Sequence, residues 1–148
     1  MSDGKALIRG YIVERDHLVF VYGTLRQGHV NHHLLKDAHC YGTGFTMSNF
    51  TLYLISGYPY VTSKESRYPI VGEMYAIDEA TLDELDRMEG HPRYYKRRET
   101  AVMVEWEQYT AWMYFHDPPG VLMPTGNFND APEFFGGNAD RVKKALDT

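Results

Sequence analysis

Val19-Phe20-Val21-Tyr22-Gly23-Thr24-Leu25-Arg26 decides the reading of this chain, because it joins a strand signal to a loop suited to a ligand. Together with His17 and Leu18, the run up to Tyr22 is short, rich in β-branched and aromatic residues, and stopped by Gly23, which predicts a buried strand. A glycine directly after such a strand lets successive main-chain N–H groups point into a cavity with no side chain in the way, and that arrangement holds a carboxylate or an oxyanion. On spacing alone, an ordinary tight turn is the commoner reading. Phosphate fits less well, since Gly23 and Gly28 match no nucleotide fingerprint and no Gly-Lys-Ser or Gly-Lys-Thr follows.

Toward the C-terminus, Asn31 is placed to cap a short helix through Leu34 and Leu35, after a turn at Gly28. Tyr41 to Thr46, Thr51 to Ile55 and Tyr60 to Thr62 are strand-like and separated by Gly, Ser, Asn or Pro, so antiparallel strands on short turns are expected. Ile70 to Ile77 is another strand, with Gly72-Glu73 marking a bulge or a close backbone approach inside it. Arg97 to Glu107 alternates, with Thr100, Val102, Val104 and Trp106 on one face, and Gln108 to Phe115 reads as its partner.

From Asp117-Pro118-Pro119-Gly120 onward, Pro124, Gly126, Pro132 and Gly136-Gly137 interrupt regular structure until Asn138, a candidate cap for a short C-terminal helix. The first ten or so residues are expected to be loose. No repeat, low-complexity tract or linker divides the chain. Many short strands with two or three helices predict an α+β (mixed α/β) domain whose sheet curls toward a barrel.

Asp78 is suited to cap a helix from Glu79 to Met88, with Gly90 and Pro92 as its stop signal. Leu82 and Leu85 share one face of that helix, and Glu89 stands four residues after Leu85, in line with the apolar stripe. A carboxylate there faces the core or a cavity, unless the helix ends one residue early and releases it to solvent. Burial and the negative end of the helix dipole both push its pKa upward, toward the range that general acid/base work requires. Asp83, Glu84 and Asp86 fall on other faces and read as surface charge.

With 148 residues the chain suits one domain able to bury roughly 70% of its unfolded surface. No apolar run approaches the roughly 20 residues needed to cross a bilayer, which argues against a membrane protein. The start MSDGKALIRG lacks a secretory signal and Cys40 is the single cysteine, so a cytoplasmic location is expected. A net charge of -5 opposes nucleic acid as a partner, and the basic cluster Arg93, Lys96, Arg97 and Arg98 reads as a solvated rim. His29, His32 and His33 match no metal-ligand spacing, so no metal is expected. Cys40 reads as a small buried hydrophobe, and no Gly-x-Ser-x-Gly elbow supports serine hydrolase chemistry. Twelve tyrosines, mostly inside strand-like runs, suit a half-buried sheet or the walls of a polar cavity.

Val21-Tyr22-Gly23-Thr24-Leu25-Arg26, then Gly72-Glu73-Met74-Tyr75, then Leu85-Asp86-Arg87-Met88-Glu89-Gly90 with Tyr95 and Arg97 following, resembles the gamma-glutamyl cyclotransferase-like superfamily. Its gamma-glutamylamine branch and small bacterial relatives are most similar, through the Tyr-Gly-Thr-Leu loop followed by Gly28, Asn31 and His32. The resemblance runs from about His17 to Asp117, leaving residues 1–16 as an extension and 118–148 as an irregular tail that could bear on substrate choice.

The resemblance implies a mixed barrel with flanking helices and a reaction needing no cofactor. The α-amine of a gamma-glutamyl amine or amino compound attacks its own γ-amide carbonyl, giving 5-oxoproline and a free amine. Glu89 would be the acid/base, the backbone around Tyr22, Gly23, Thr24 and Leu25 would bind the glutamyl carboxylate or the oxyanion, and Tyr95 would complete the pocket by a hydroxyl hydrogen bond. Tyr114 is a candidate wall. The alternatives are related amide chemistry that removes a gamma-glutamyl group from a biosynthetic intermediate, and a non-catalytic module binding a small ligand. Oligomeric state is left open.

Overall fold

The computed structural model describes residues 5–8, 11–14 and 17–134. In chain order the elements are β1 (Lys5–Ile8), β2 (Tyr11–Glu14), β3 (His17–Val21), β4 (His39–Thr46), β5 (Thr51–Ile55), β6 (Tyr58–Thr62), β7 (Val71–Ile77), α1 (Glu79–Glu89), β8 (Lys96–Val104), β9 (Glu107–Phe115), β10 (Val121–Leu122) and α2 (Ala131–Phe134). Short 3₁₀ turns occupy His32–Leu35 and Phe128–Asp130.

Five strands close a barrel in the order β3-β7-β4-β8-β9. The β3–β9 seam is parallel, with Val19 opposite Trp112, and the other four seams are antiparallel. A second sheet, β10-β5-β6, lies beside it. The expected α+β barrel is therefore the observed architecture.

Strand periodicity explains how β3 can be buried on both faces: Val19 and Val21 point to one apolar cluster, Phe20 and the following Tyr22 to the other. β9 obeys the same rule, sending Met113 and Phe115 into the cluster of Phe20 and Tyr114 into that of Val19. This second cluster also takes Leu82 and Leu85 of α1, which are 2% and 0% exposed. Burying two such leucines contributes roughly 1.5–3 kcal/mol each and fixes the rotation of α1 against the barrel. Asp78 caps the helix as expected, its carboxylate accepting from Thr81 N–H at 2.8 Å.

Gly72 is a close approach, since a methyl group there would run into Val21 O and the Phe20 ring. The bulge lies instead in β4, between Cys40 and Gly42, where Gly42 adopts φ 125°. Cys40 is exposed and free rather than buried, because it sits at this irregularity. Trp106 does not continue the alternation of Thr100, Val102 and Val104. The strand ends at Val104, Glu105 and Trp106 make the hairpin turn with positive φ, and Trp106 is 95% exposed.

The stretches expected to be loose or irregular carry more structure than their composition suggests. β1 and β2 pair antiparallel from Lys5↔Glu14 to Ile8↔Tyr11. Their residues Ala6-Leu7-Ile8 and Tyr11-Ile12-Val13 have strand preferences. In the tail, β10 pairs with β5, Met123 N–H donates to Leu52 O, and Tyr68 OH donates to Met123 O. Met123 and Phe128 are buried, so the tail closes the core despite its prolines. Asn138 lies outside the described residues. Among the described residues no helix is long and apolar enough to cross a membrane.

Candidate active site

A cavity of about 470 Å³ opens where the end of β3, the C-terminal turn of α1 and the β5–β6 turn meet. Its walls include Tyr22, Gly23, Thr24, Leu25, Glu89, Tyr95 and Tyr114, so all six residues expected at the site, and the candidate wall Tyr114, are brought together. Asn31, Ile55, Ser56, Tyr58, Pro59, Met88 and Tyr94 also line it.

Glu89 is the last residue of α1, one beyond the expected end. Gly90 then takes the left-handed conformation, φ 68°, that terminates the helix. The chain folds back at once: Tyr94 N–H donates to Gly90 O at 2.8 Å and Tyr95 N–H to Glu89 O at 3.1 Å. Tyr95 is thereby set beside the carboxyl group, with its hydroxyl donating to Pro59 O at 2.9 Å across the cavity wall.

The Glu89 carboxyl is largely buried and has no hydrogen bond to any described residue, and burial pushes its pKa up to about 7. Its surroundings are phenolic. Burial first, and then the nearby Glu89, raise the pKa of Tyr95, and burial above all raises that of Tyr22. Both remain neutral hydroxyls through the physiological range.

The loop opposite is braced from behind. Leu25 is buried in the cluster under α1, and its carbonyl accepts from His32 Nδ1 at 2.9 Å. Asn31 holds Thr24 twice, through its N–H to Thr24 O and its amide to Thr24 Oγ1, both at 2.9 Å. Asn31 was expected to cap a helix. It stands at the start of the 3₁₀ turn but gives its side chain to Thr24, making no cap hydrogen bond.

Arg26 is 4% exposed and pairs with buried Glu73 of β7 at 3.3 Å, while its second nitrogen reaches Asn127 Oδ1 at 2.8 Å. Glu73 also accepts from Gln27 N–H and Tyr75 OH. The main-chain N–H groups of Gly23, Thr24 and Leu25 have no acceptor among the described residues, which leaves them available to a ligand. The Tyr22 side chain is spoken for, since its hydroxyl donates to Tyr114 O at 2.8 Å. Any contact from Tyr22 to a ligand therefore comes chiefly from its main chain.

Asp86 is not plain surface charge. Arg97 grips it with two nitrogens at 2.9 and 3.1 Å, and Tyr114 OH donates to it at 2.6 Å. Burial opposes its ionisation, but these partners outweigh burial and hold its pKa below the ordinary range. The end of α1 is thus tied to β8 and β9. Arg97 and Arg98 also lie over the rings of Trp112 and Phe115, so half of the expected basic rim is engaged with the barrel.

His29 packs on Phe128 and contacts Asn129, and His33 contacts Val30 O. Among the described residues no three His, Cys, Asp or Glu side chains are placed to share a metal ion. No described residue of the tail lines the cavity; the described tail covers the core instead.

This geometry can hold an anionic group on free amides and present a proton-exchanging carboxyl across a small hollow. The family model described as "Gamma-glutamyl cyclotransferase, AIG2-like" matches residues 19–130. A Methanocaldococcus jannaschii protein, named provisionally as a gamma-glutamylcyclotransferase, is 39% identical over 115 residues, covering 76% of this chain and 95% of its own. The gamma-glutamylcyclotransferase family protein YtfP of Escherichia coli is 34% identical over 101 residues, covering 68% and 83%. Among solved structures, an AIG2-like protein of Mus musculus superposes with a TM-score of 0.61 at 29% identity, covering 67% of this chain and 76% of that one.

Proposed function

This chain belongs to the gamma-glutamyl cyclotransferase, AIG2-like family, and on that footing we propose that it cyclises a gamma-glutamyl amine or amino compound to 5-oxoproline and a free amine. The observation that carries the proposal is the Glu89 carboxyl, largely buried and without a hydrogen-bond partner among the described residues, in the same cavity as the free amides of Gly23 to Leu25.

The substrate's own α-amine is the nucleophile, so the protein mainly has to hold a folded near-attack conformer. Ionised Glu89 takes a proton from the α-ammonium, and the freed nitrogen forms a bond to the γ-carbonyl carbon. The resulting oxyanion, or the glutamyl α-carboxylate, is met by the main-chain donors of residues 23–25, which need no reorganisation because Leu25, Asn31 and Arg26 brace them. Protonated Glu89 then returns the proton to the leaving nitrogen as its bond to carbon breaks and the carbonyl re-forms, and the regenerated carboxylate relays the attacking nitrogen's second proton to the departing amine, leaving a neutral lactam N–H and an ammonium. No water is consumed and nothing is oxidised. Tyr95 frames the site, and its neutral hydroxyl is anchored to Pro59 O.

A pKa near 7 suits a group that must both accept and release a proton near neutrality. The test is to incubate the protein with a panel of γ-glutamyl amides and measure 5-oxoproline and free glutamate. Accumulation of 5-oxoproline that is abolished in Glu89→Gln supports the cyclisation. Glutamate as the product would instead indicate hydrolysis.

A further inference from the structure

The outer half of the cavity has a composition of its own. Met88, Tyr58 and Tyr94 line it, and they are 38%, 40% and 56% exposed, unusually open for large apolar or aromatic side chains. Three such residues around one opening form a patch continuous with the site, the usual mark of a surface built for contact. Ile55 and Pro59 continue it inward.

Charge is the second observation. No Lys, Arg or His is among the described residues lining the cavity, and its one acid is Glu89. Arg26 and Arg97 are committed elsewhere, to Glu73 and Asp86, and Arg87 and Arg93, the chain neighbours of Met88 and Tyr94, are exposed and do not line the cavity. Inside the cavity a substrate carboxylate on the amine side would meet no cation, and an ammonium would meet no carboxylate besides the catalytic one.

The wall is also preformed. The Tyr94 ring lies 4.1 Å from the ring of His116, which also touches Tyr95 at 5.1 Å. His116 Nε2 is buried without a hydrogen-bond partner, and burial lowers its pKa, so the imidazole behind the wall is uncharged as well.

Resting on the cyclisation reading, we propose that Tyr58, Met88 and Tyr94 form the subsite for the leaving amine, and that it takes an uncharged apolar or aryl-bearing amine rather than an amino acid or a diamine. Such an amine gains by leaving water against two phenol rings and a thioether, and loses nothing by the lack of counter-ions.

The experiment compares kcat/KM for four donors: γ-glutamyl phenethylamide, γ-glutamyl methylamide, γ-glutamylglycine and Nε-(γ-glutamyl)lysine. The expected result favours the phenethylamide by about tenfold or more over each of the others, the usual worth of a filled apolar pocket. In Tyr94→Ala and Met88→Ser, the phenethyl-to-methyl ratio is expected to fall to about threefold or less. Calorimetric affinities of Glu89→Gln for the same compounds give the ratio independently of chemistry. Turnover of no donor would remove the cyclisation, whereas a phenethyl preference below about threefold in both rates and affinities would overturn the subsite. Better use of the glycine or lysine compound would overturn it too.

Discussion

The main-chain N–H of Tyr95 donates to the carbonyl oxygen of Glu89 at 3.1 Å, so the proposed acid/base and the ring that shelters it are locked into one turn. Seven residues of sequence make this unit, and Gly90 is its pivot, since a methyl group there would lie 2.9 Å from Tyr94 Cβ. Distortion of the turn should therefore disturb proton transfer and binding together.

Glu89→Gln keeps the shape of the side chain and removes its proton exchange. Its rate of 5-oxoproline formation is expected to fall about a hundredfold or more, with an unchanged circular dichroism spectrum. A variant retaining more than a tenth of the activity would transfer the acid/base role elsewhere.

Stability should carry the imprint of the same group. The folded-state pKa, about 7, is above the ordinary 4.5, so the native protein holds a proton that the unfolded chain has already lost between those values. Stability due to this group is full below about pH 4.5, declines as pH rises, and is gone above about pH 7, a loss of up to about 3 kcal/mol. Urea titrations should show Glu89→Gln gaining on the unmodified protein as pH rises from 4.5 to 8. Parallel pH profiles would mean that the carboxyl is solvated.

As a base, Glu89 works only when ionised, and kcat/KM should rise with pH through about 7 on its acidic limb. An acidic limb centred near 4.5 would contradict the burial of this group.

Arg26→Ala leaves Glu73 buried with two of its hydrogen bonds but no cation. A cost of about 3–5 kcal/mol is expected from urea unfolding, and adding Glu73→Gln should restore part of it. If the double variant is no more stable than the single one, the pair is not the origin of the loss.

Gly23→Ala would bring a methyl group within 2.5 Å of Pro59 Cγ, and Pro59 O is the acceptor for Tyr95 OH. A drop in kcat/KM of about tenfold to a hundredfold is predicted, from displacement of the loop and of Tyr95 together. Kinetics indistinguishable from the unmodified protein would show that the loop accommodates the methyl group.

Features fixed by local pattern were readable before any coordinates. Leu82, Leu85 and Glu89 share a helical face because spacing dictates it, and Asp78 and Gly90 carry their own stop and start signals. The strands from Thr51 to Ile55 and around Ile70 to Ile77 follow in the same way. Asp86 was read as surface charge because its partners Arg97 and Tyr114 come from strands 11 and 28 residues further on, which no helical periodicity encodes. Tyr58 and Pro59 reach the cavity only because the β5–β6 hairpin folds toward it. Trp106 keeps the strand alternation in sequence, yet positive φ at Glu105 and at Trp106 itself turns the chain there. The packing of the tail is not legible in the sequence, because its prolines and glycines mask Met123 and Phe128, whose burial depends on tertiary contacts alone.

The parallel seam between β3 and β9 has a bearing on how the protein comes into being. Tyr22 and Tyr114, 92 residues apart, are tied across that junction by a hydrogen bond, and both face the hollow. Bringing such distant segments together carries an entropic cost that grows with the length of chain between them. A nascent chain still lacking its ninth strand therefore has its acid helix but no complete vessel around it, and the first appearance of turnover during synthesis or refolding would time the closing of the barrel.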